Sequence, residues 1–422
     1  MIAVIGGGLT GLICATRLAQ QGHAVQLFES APHLGGRTRS FYESKMQQWV
    51  DNGPHLLSGA YQHTQQWLAQ ARAMEYVYWQ PALNMTMWDA SRRLFHFRPK
   101  PQLPLPLAMA CAVTGMPGHG LESALGLVKM RLGMGGDIDD RLTALNWLLT
   151  CGLPETLRRD LFEPLCLGIM NEPLQTANAK SFACALQESF ASHQTARLGW
   201  FTKPLSEALI GPLEQLARRS GVCISTRHRI RQLQGTSTGV DIQMDASTFR
   251  HYQAAVLTMP AHTAARLLNI RCRIETRPIT NIHLWFEQDI GLPDYFVGGI
   301  GTTGQWFFDI SRQMHSTEAA RHICAVISAD EALPRQRPLI ETVCSELRGI
   351  TNHPGSLSLK HARIVRERHA TVLVQPGSAI ATVSGHVINA CECPQPGDIP
   401  ATIEAAIRRG EEAASCVPQV LT

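Results

Sequence analysis

Two stretches of this chain carry residue types whose spacing could do chemistry. The first is Gly6-Gly7-Gly8-Leu9-Thr10-Gly11, a glycine turn directly behind the apolar run Ile2-Ala3-Val4-Ile5. A turn of this kind brings bare backbone against phosphate. Gly6 allows the bend, Gly8 the approach to a pyrophosphate and Gly11 the close packing of helix on strand, while the helix N-terminus supplies free N–H groups and positive potential. Glu29 stands eighteen residues after Gly11, at the end of a second apolar run, where a carboxylate can accept hydrogen bonds from ribose hydroxyls and argues against a 2′-phosphate. Behind it, Gly35-Gly36-Arg37 adds a second close backbone approach and a guanidinium clamp. A dinucleotide held along its whole length in this way points to tightly bound FAD. The second stretch is Asp51-Asn52-Gly53-Pro54-His55, a polar turn in which an imidazole could donate a proton beside a flat ligand. A lone histidine is more often structural, so position has to decide its role.

The elements that must position these groups are legible in part. Ile2–Ile5 and Ala24–Phe28 read as buried parallel strands with a helix from Leu12 to Gln21 between them. Residues 63–200 read as helical and apolar, with few strand signals. Within them, Leu107–Val113 and Leu121–Met134, the latter with Lys129 and Arg131, are too short to span a bilayer; they read either as core helices or as a face for a membrane surface or lipid channel. Leu161 to Asn171, interrupted by Pro164 and Gly168, reads as a segment bent around a cavity. A helix from Pro204 to Arg219 and strands at 221–225, 230–233 and 255–260 return the chain to the dinucleotide domain. The strands Ile282–Phe286 and Gln305–Asp309 belong to a second domain, and their aromatic residues Trp285, Phe286, Trp306, Phe307 and Phe308 are candidates for a large apolar pocket. Val387–Ala390 is a last strand. Asp398 to Gly410 reads as a helix with Asp398 at the N-cap and Pro400 in the first turn, its N-terminus aimed at the flavin pyrimidine.

Composition excludes several classes. The net charge of +4 is spread out with no basic tract, so nucleic acid is not implied. The twelve cysteines lack regular spacing and fit reduced thiols; Cys391-Glu392-Cys393 is the only close pair, and no matching ligands accompany it, so no metal is predicted. Met1 leads straight into the first strand, which points to a cytoplasmic protein. The fold class expected is α/β: a Rossmann-like FAD-binding domain assembled from 1–70, 204–275 and 375–422, plus a mixed α+β substrate domain from 71–203 and 276–374.

The segments VIGGGLTGL, FESAPHLGGRTRS, DNGPHLLSGAY, FEPLCLGIMN, ITNIHLWF, QWFFDI and IPATIEAAIRRG, in that order over nearly the whole chain, resemble the squalene-associated FAD-dependent desaturases, or hydroxysqualene dehydroxylases, of the phytoene desaturase and amine oxidase superfamily. The resemblance implies a bacterial enzyme of hopanoid or carotenoid precursor supply, in which reduced FAD delivers hydride to the allylic carbon of hydroxysqualene as hydroxide leaves. It places His55 and Asp51 beside the isoalloxazine, a position from which His55 is expected to protonate the leaving hydroxyl, alone or through water. It also sets His228 against the adenine and Pro400, Ala401 and Thr402 at the cofactor. The polyprenoid substrate, contact with the inner membrane surface and association with a squalene or hydroxysqualene synthase follow as implied partners. The chain departs from the family where an Ala-Gly-Asp-Trp strand end is usual: Cys391 carries a side chain at the glycine position, and Glu392 is the candidate to replace the aspartate. Two other readings stay open on these residues, a carotenoid-type desaturase and a cofactor-poor lipid-binding relative.

Overall fold

The protein is described from a computed structural model, which covers residues 1–91, 93–244, 248–270, 274–316, 321–330, 336–376, 383–399 and 401–421. Strand β1 (Ile2–Ile5) is buried on both faces, helix α1 (Leu9–Gln20) follows the glycine turn, and β2 (Val25–Phe28) returns beside β1. Apolar residues on both faces are what a parallel strand covered by helices requires. The sheet they seed has six strands. In spatial order these are Cys223–Ser225, β2, β1, Ala254–Leu257, Val387–Asn389 and Val383–Ser384, all parallel except the last pair. Three distant parts of the chain therefore build one sheet.

The C-terminal helix and helix Gly211–Arg219 press on α1. A Cβ on Gly11 would lie 1.8 Å from the Gly6 carbonyl oxygen, so only glycine lets α1 start where it does. The C-terminal helix Ile403–Leu421 crosses α1 at Gly410, where a Cβ would meet the Thr10 carbonyl oxygen at 2.6 Å. Glu404, fully buried near the start of that helix, accepts from Thr64 N (2.8 Å), Thr64 Oγ1 (2.7 Å) and His63 N (3.1 Å), and Arg408 one turn on neutralises it (3.1 Å). This fixes the start of helix Gln62–Gln70. The helix does not begin at Asp398 as its sequence suggests: Asp398 accepts from Gln395 N in a turn (2.7 Å), and Thr402 Oγ1 receives Ala405 N (3.1 Å) in the capping role.

The second layer is a seven-stranded mixed sheet in the order Leu359–Val372, Thr276–Phe286, Arg321–Ile327, Trp306–Asp309, Phe296–Ile300, Met85–Asp89 and Arg93–Phe97. Only the pairing of Phe296–Ile300 with Met85–Asp89 is parallel. Its last two strands, and the short strand Val77–Trp79, fall in the region expected to be helical; Met85, Met87, Phe95 and Phe97 alternate into the core in the two-residue period of a hairpin. Helices between residues 105 and 196 cover one face of this sheet, and helix Gln336–Thr351 covers the other through Leu339, Val343 and Leu347. The bend expected around Pro164 is a single wide π turn, Arg158–Phe162, running into helix Glu163–Met170, which stops at Asn171 in the left-handed region (φ 55°). Replacing Gly11 with alanine is expected to destabilise the protein by about 1–3 kcal/mol, because the added carbon meets rigid backbone rather than a movable side chain; urea unfolding of the FAD-loaded protein measures it.

Candidate active site

One cavity of about 1330 Å³ runs from the glycine turn into the second layer. That exceeds the roughly 300–1,000 Å³ usual for a single-ligand pocket, so there is room for a dinucleotide and a second molecule. At one end it is lined by Gly6, Gly8, Glu29, Gly35, Gly36 and Arg37, at the other by Leu83, Met85, Leu165, Ile169, Phe190 and Phe308.

The glycines occupy this wall for different reasons. Gly6 (φ 120°), Gly35 (φ 111°) and Gly36 (φ 58°) adopt conformations that side chains disfavour. Gly8 has ordinary extended backbone, and a Cβ there would meet no protein atom within 4 Å. Its missing side chain leaves open space in the cavity wall, the shape a pyrophosphate needs. Thr258 Oγ1 donates to the carbonyls of Ile5 (3.1 Å) and Gly6 (2.9 Å) and so holds the turn to the next strand. Glu29 Oε2 accepts from Gly7 N and its Oε1 from Ala31 N, each at 2.7 Å, which pins the carboxylate at the end of β2. His228 hydrogen-bonds Glu29 through backbone, its N donating to Glu29 O at 2.8 Å, and its exposed ring lines the cavity beside it.

Arg37 is paired with Glu392 and donates to the Ala370 carbonyl (2.7 Å), so the guanidinium expected to clamp phosphate also ties the glycine loop to the other end of the chain. Glu392 is buried and lines the cavity, whereas the adjacent Cys391 turns its sulfur toward the Leu257 carbonyl (3.6 Å) and is not in the lining. The side chain that stands for a glycine thus points away from the cofactor space. Ala401 and Thr402 line the cavity at the start of the C-terminal helix; Pro400, expected beside them, lies outside the described residues. The donor set along this wall is that of an FAD cradle.

Asp51 and His55 are separated by the loop between them. His55 faces the large cavity, and its ring has no hydrogen-bond partner among the described residues; burial, with the nearby Arg37 adding to it, pushes its pKa down to about 4. Asp51 is absent from the large cavity's lining and borders a smaller one that His55 also lines, so of the two residues expected beside the isoalloxazine only His55 reaches the large cavity. Asp51 Oδ1 accepts from Ser40 Oγ (2.6 Å) and Leu205 N (2.8 Å), while burial pushes its pKa up to about 7. The loop itself is held by Asn281, whose Nδ2 donates to Asn52 O (3.0 Å) and sits where a Cβ on Gly53 would be, 2.6 Å away. Asn281 and the buried His283, two residues on along one strand, escaped the sequence reading although their spacing puts them on one sheet face. Strand alternation likewise sorts the aromatic cluster: Trp306 and Phe308 line the cavity, and Phe286 and Phe307 pack in the core behind.

A Rossmann-type parallel sheet, a glycine-walled dinucleotide cradle and an adjoining apolar chamber define a flavin-dependent oxidoreductase. Residues 9–377 match the family described as flavin containing amine oxidoreductase, and the chain belongs to that family. It is an FAD-dependent enzyme. Similar curated proteins are hydroxysqualene dehydroxylases from Rhodopseudomonas palustris, 28% identical with 99% of this chain and 98% of that protein covered, and from Sinorhizobium fredii, 26% identical with 98% and 97% covered. Among solved structures, a putative protoporphyrinogen oxidase from Exiguobacterium shares the fold at a TM-score of 0.72 and 14% identity, covering 99% of this chain and 98% of that one.

Valine at Gly8 is expected to leave the apoprotein folded and abolish FAD retention, read as flavin absorbance after gel filtration. His283 is also held neutral, its pKa pushed by burial to about 3. A folded pKa below the unfolded value near 6.5 means stability that is complete above that pH and lost as pH falls toward the folded value. The stability advantage of wild type over His283→Asn is therefore expected to shrink steadily as pH falls from about 6.5 to 4, as guanidinium midpoints of the two proteins at each pH would show.

Proposed function

We propose that this enzyme carries out reductive dehydroxylation of an allylic polyprenol, with hydroxysqualene as substrate and squalene as product. The observation that carries the reading is the continuity of the cavity: the dinucleotide cradle and a set of apolar residues, Leu83, Met85, Leu165, Ile169, Phe190 and Phe308, line one space, and the apolar part suits a polyprenyl chain. The names of the full-length relatives support it. When bound, reduced FAD supplies the hydride that replaces the hydroxyl group.

The chain's own residues do the rest. The apolar chamber excludes water, so a carbon losing its oxygen is not recaptured by solvent. The departing oxygen needs a proton, and His55 is the group in the lining to supply it; as a neutral imidazole it holds one N–H to give and one nitrogen to be refilled. Carbon–oxygen cleavage then releases water.

The enzyme also meets its substrate where the substrate dissolves. Leu121, Leu125, Val128 and Leu132, spaced along one face of helix Leu121–Gly133, are 79%, 61%, 48% and 76% exposed, and Leu107 of the preceding helix is 52% exposed. Such a stripe with Lys129 and Arg131 beside it suits a bilayer surface. No helix among the described residues is long and apolar enough to cross one. A synthase delivering hydroxysqualene is the partner this reading implies.

Anaerobic mixing of dithionite-reduced enzyme with hydroxysqualene is expected to reoxidise the flavin and form squalene by chromatography; flavin without turnover would favour the desaturating direction instead. His55→Ala, with FAD still bound, should lose on the order of 10² to 10⁴ in turnover. Aspartate at both Leu125 and Leu132 should abolish flotation with phosphatidylglycerol-containing vesicles and leave turnover of detergent-solubilised substrate intact.

A further inference from the structure

His55 lines a second cavity as well as the first. This smaller one, about 20 Å³, is bounded by Asp51, His55, His283, His322 and Gln313 between the apolar Leu205 and Ile310. A site needs roughly 10–15 Å³ and two to four polar partners to hold a water, and this one meets both conditions for a single molecule. His55 and Pro54 are the residues common to the two linings, and of these only the imidazole can carry a proton.

The polar groups around the small cavity are arranged for donation. Both hydrogen bonds to Asp51, from Ser40 Oγ and Leu205 N, go to Oδ1, and the residue lines the small cavity. His283 Nδ1 and His322 Nε2 are 3.0 Å apart, one N–H bridging the pair, and His283 is held further by the Asn52 backbone and by Cys324 Sγ. His322 is stacked on Trp285 (4.3 Å between ring centres) and fixed in orientation. Arg37 faces His55 from the glycine loop; Cys324 faces Asp51 and lies 4.0 Å from His283 Nε2.

We propose that Asp51, one water in the small cavity and His55 form a proton relay into the large cavity, with the His283–His322 pair orienting the water. The relay rests on the dehydroxylation reading and answers its open step. As the allylic carbon–oxygen bond breaks, the His55 N–H facing the substrate passes its proton to the departing oxygen. The water gives a proton to the other ring nitrogen, and the Oδ2–H of Asp51 restores the water. The imidazole is neutral before and after with its tautomer reversed, and Asp51 ends as carboxylate; once product has left, solvent in the large cavity returns a proton to the substrate-side nitrogen of His55, and the water-side N–H passes its proton back through the water to Asp51, which resets both groups. No electrons travel this path. A histidine whose cation is suppressed by burial transfers a proton only if it is refilled as it gives, and an aspartic acid that still holds its proton near neutrality is the group to refill it.

The test uses the FAD-loaded enzyme labelled with carboxyl-¹³C aspartate. Infrared difference spectra between acid and alkaline samples should show a protonated carboxyl band that titrates near neutrality and is missing in Asp51→Asn. Single-turnover squalene formation should fall above the same pH in wild type. In Asp51→Asn it should be slower by on the order of 10²-fold and flat over that range, and in Asp51→Glu a titrating limb should return. Because Asp51 also ties Leu205 to Ser40, His283→Asn serves as a second variant that leaves those bonds intact; it should move the pH at which the band disappears. Absence of the wild-type band, an unmoved band in folded His283→Asn, or a wild-type alkaline limb persisting in Asp51→Asn overturns the relay. A titrating Asp51 band without any turnover of hydroxysqualene supports the proton store and counts against the dehydroxylation reading, so the two failures are told apart.

Discussion

The molecule depends on how closely α1 can lie against its surroundings. At its first turn Gly11 lets it meet the Gly6 carbonyl, and on its outer side Gly410 lets the C-terminal helix reach the Thr10 carbonyl. A side chain at either place would push α1 off the sheet, and the glycine turn that opens the cavity would move with it. The cofactor wall is thus a product of packing between the two ends of the chain. The Arg37–Glu392 pair repeats the same connection at the cavity itself.

From that wall the chemistry follows by layers. Glycine backbone lines the cofactor space, with Glu29 held by backbone N–H groups and Arg37 paired with Glu392 at its edge. The apolar chamber beyond it is furnished by one face of the seven-stranded sheet and by the helix that follows the π turn. Between them the 51–55 loop is clamped by Asn281 from the second layer and by Ser40 and Leu205 from the first. Both of its titratable ends line the small cavity and His55 the large one as well, and burial drives their pKa values toward one another's usual range, Asp51 up to about 7 and His55 down to about 4.

The dinucleotide cradle was legible because its information is local: a strand, glycines at fixed spacing, an acid at the end of the next strand. Other features were not. The hairpin Met85–Phe97 was read as part of a helical region because its polar and apolar residues alternate over only a few positions on each strand. The C-terminal helix was started too early because Asp398 and Pro400 imitate a cap, whereas Thr402 serves as one. That His55 reaches the large cavity and Asp51 does not depends on a loop conformation that a distant asparagine holds, and no local spacing encodes it. Asn281 and His283 could have been found, since they share one face of a strand that reads clearly in the sequence.

The order of strands in the parallel sheet has a consequence for biogenesis. β1 is made first but lies between β2 and Ala254–Leu257, and the next neighbour outward, Val387–Asn389, belongs to the last part of the chain. During synthesis at roughly 5–20 residues per second the nucleotide-binding half therefore waits for most of the polypeptide before its sheet and the helix over α1 can close. Contacts of such long sequence separation fold slowly, and the apolar edge of β1 is exposed to mispairing in the meantime. The dinucleotide wall, which draws on Glu392 and the start of the C-terminal helix, is therefore complete only once the end of the chain has docked.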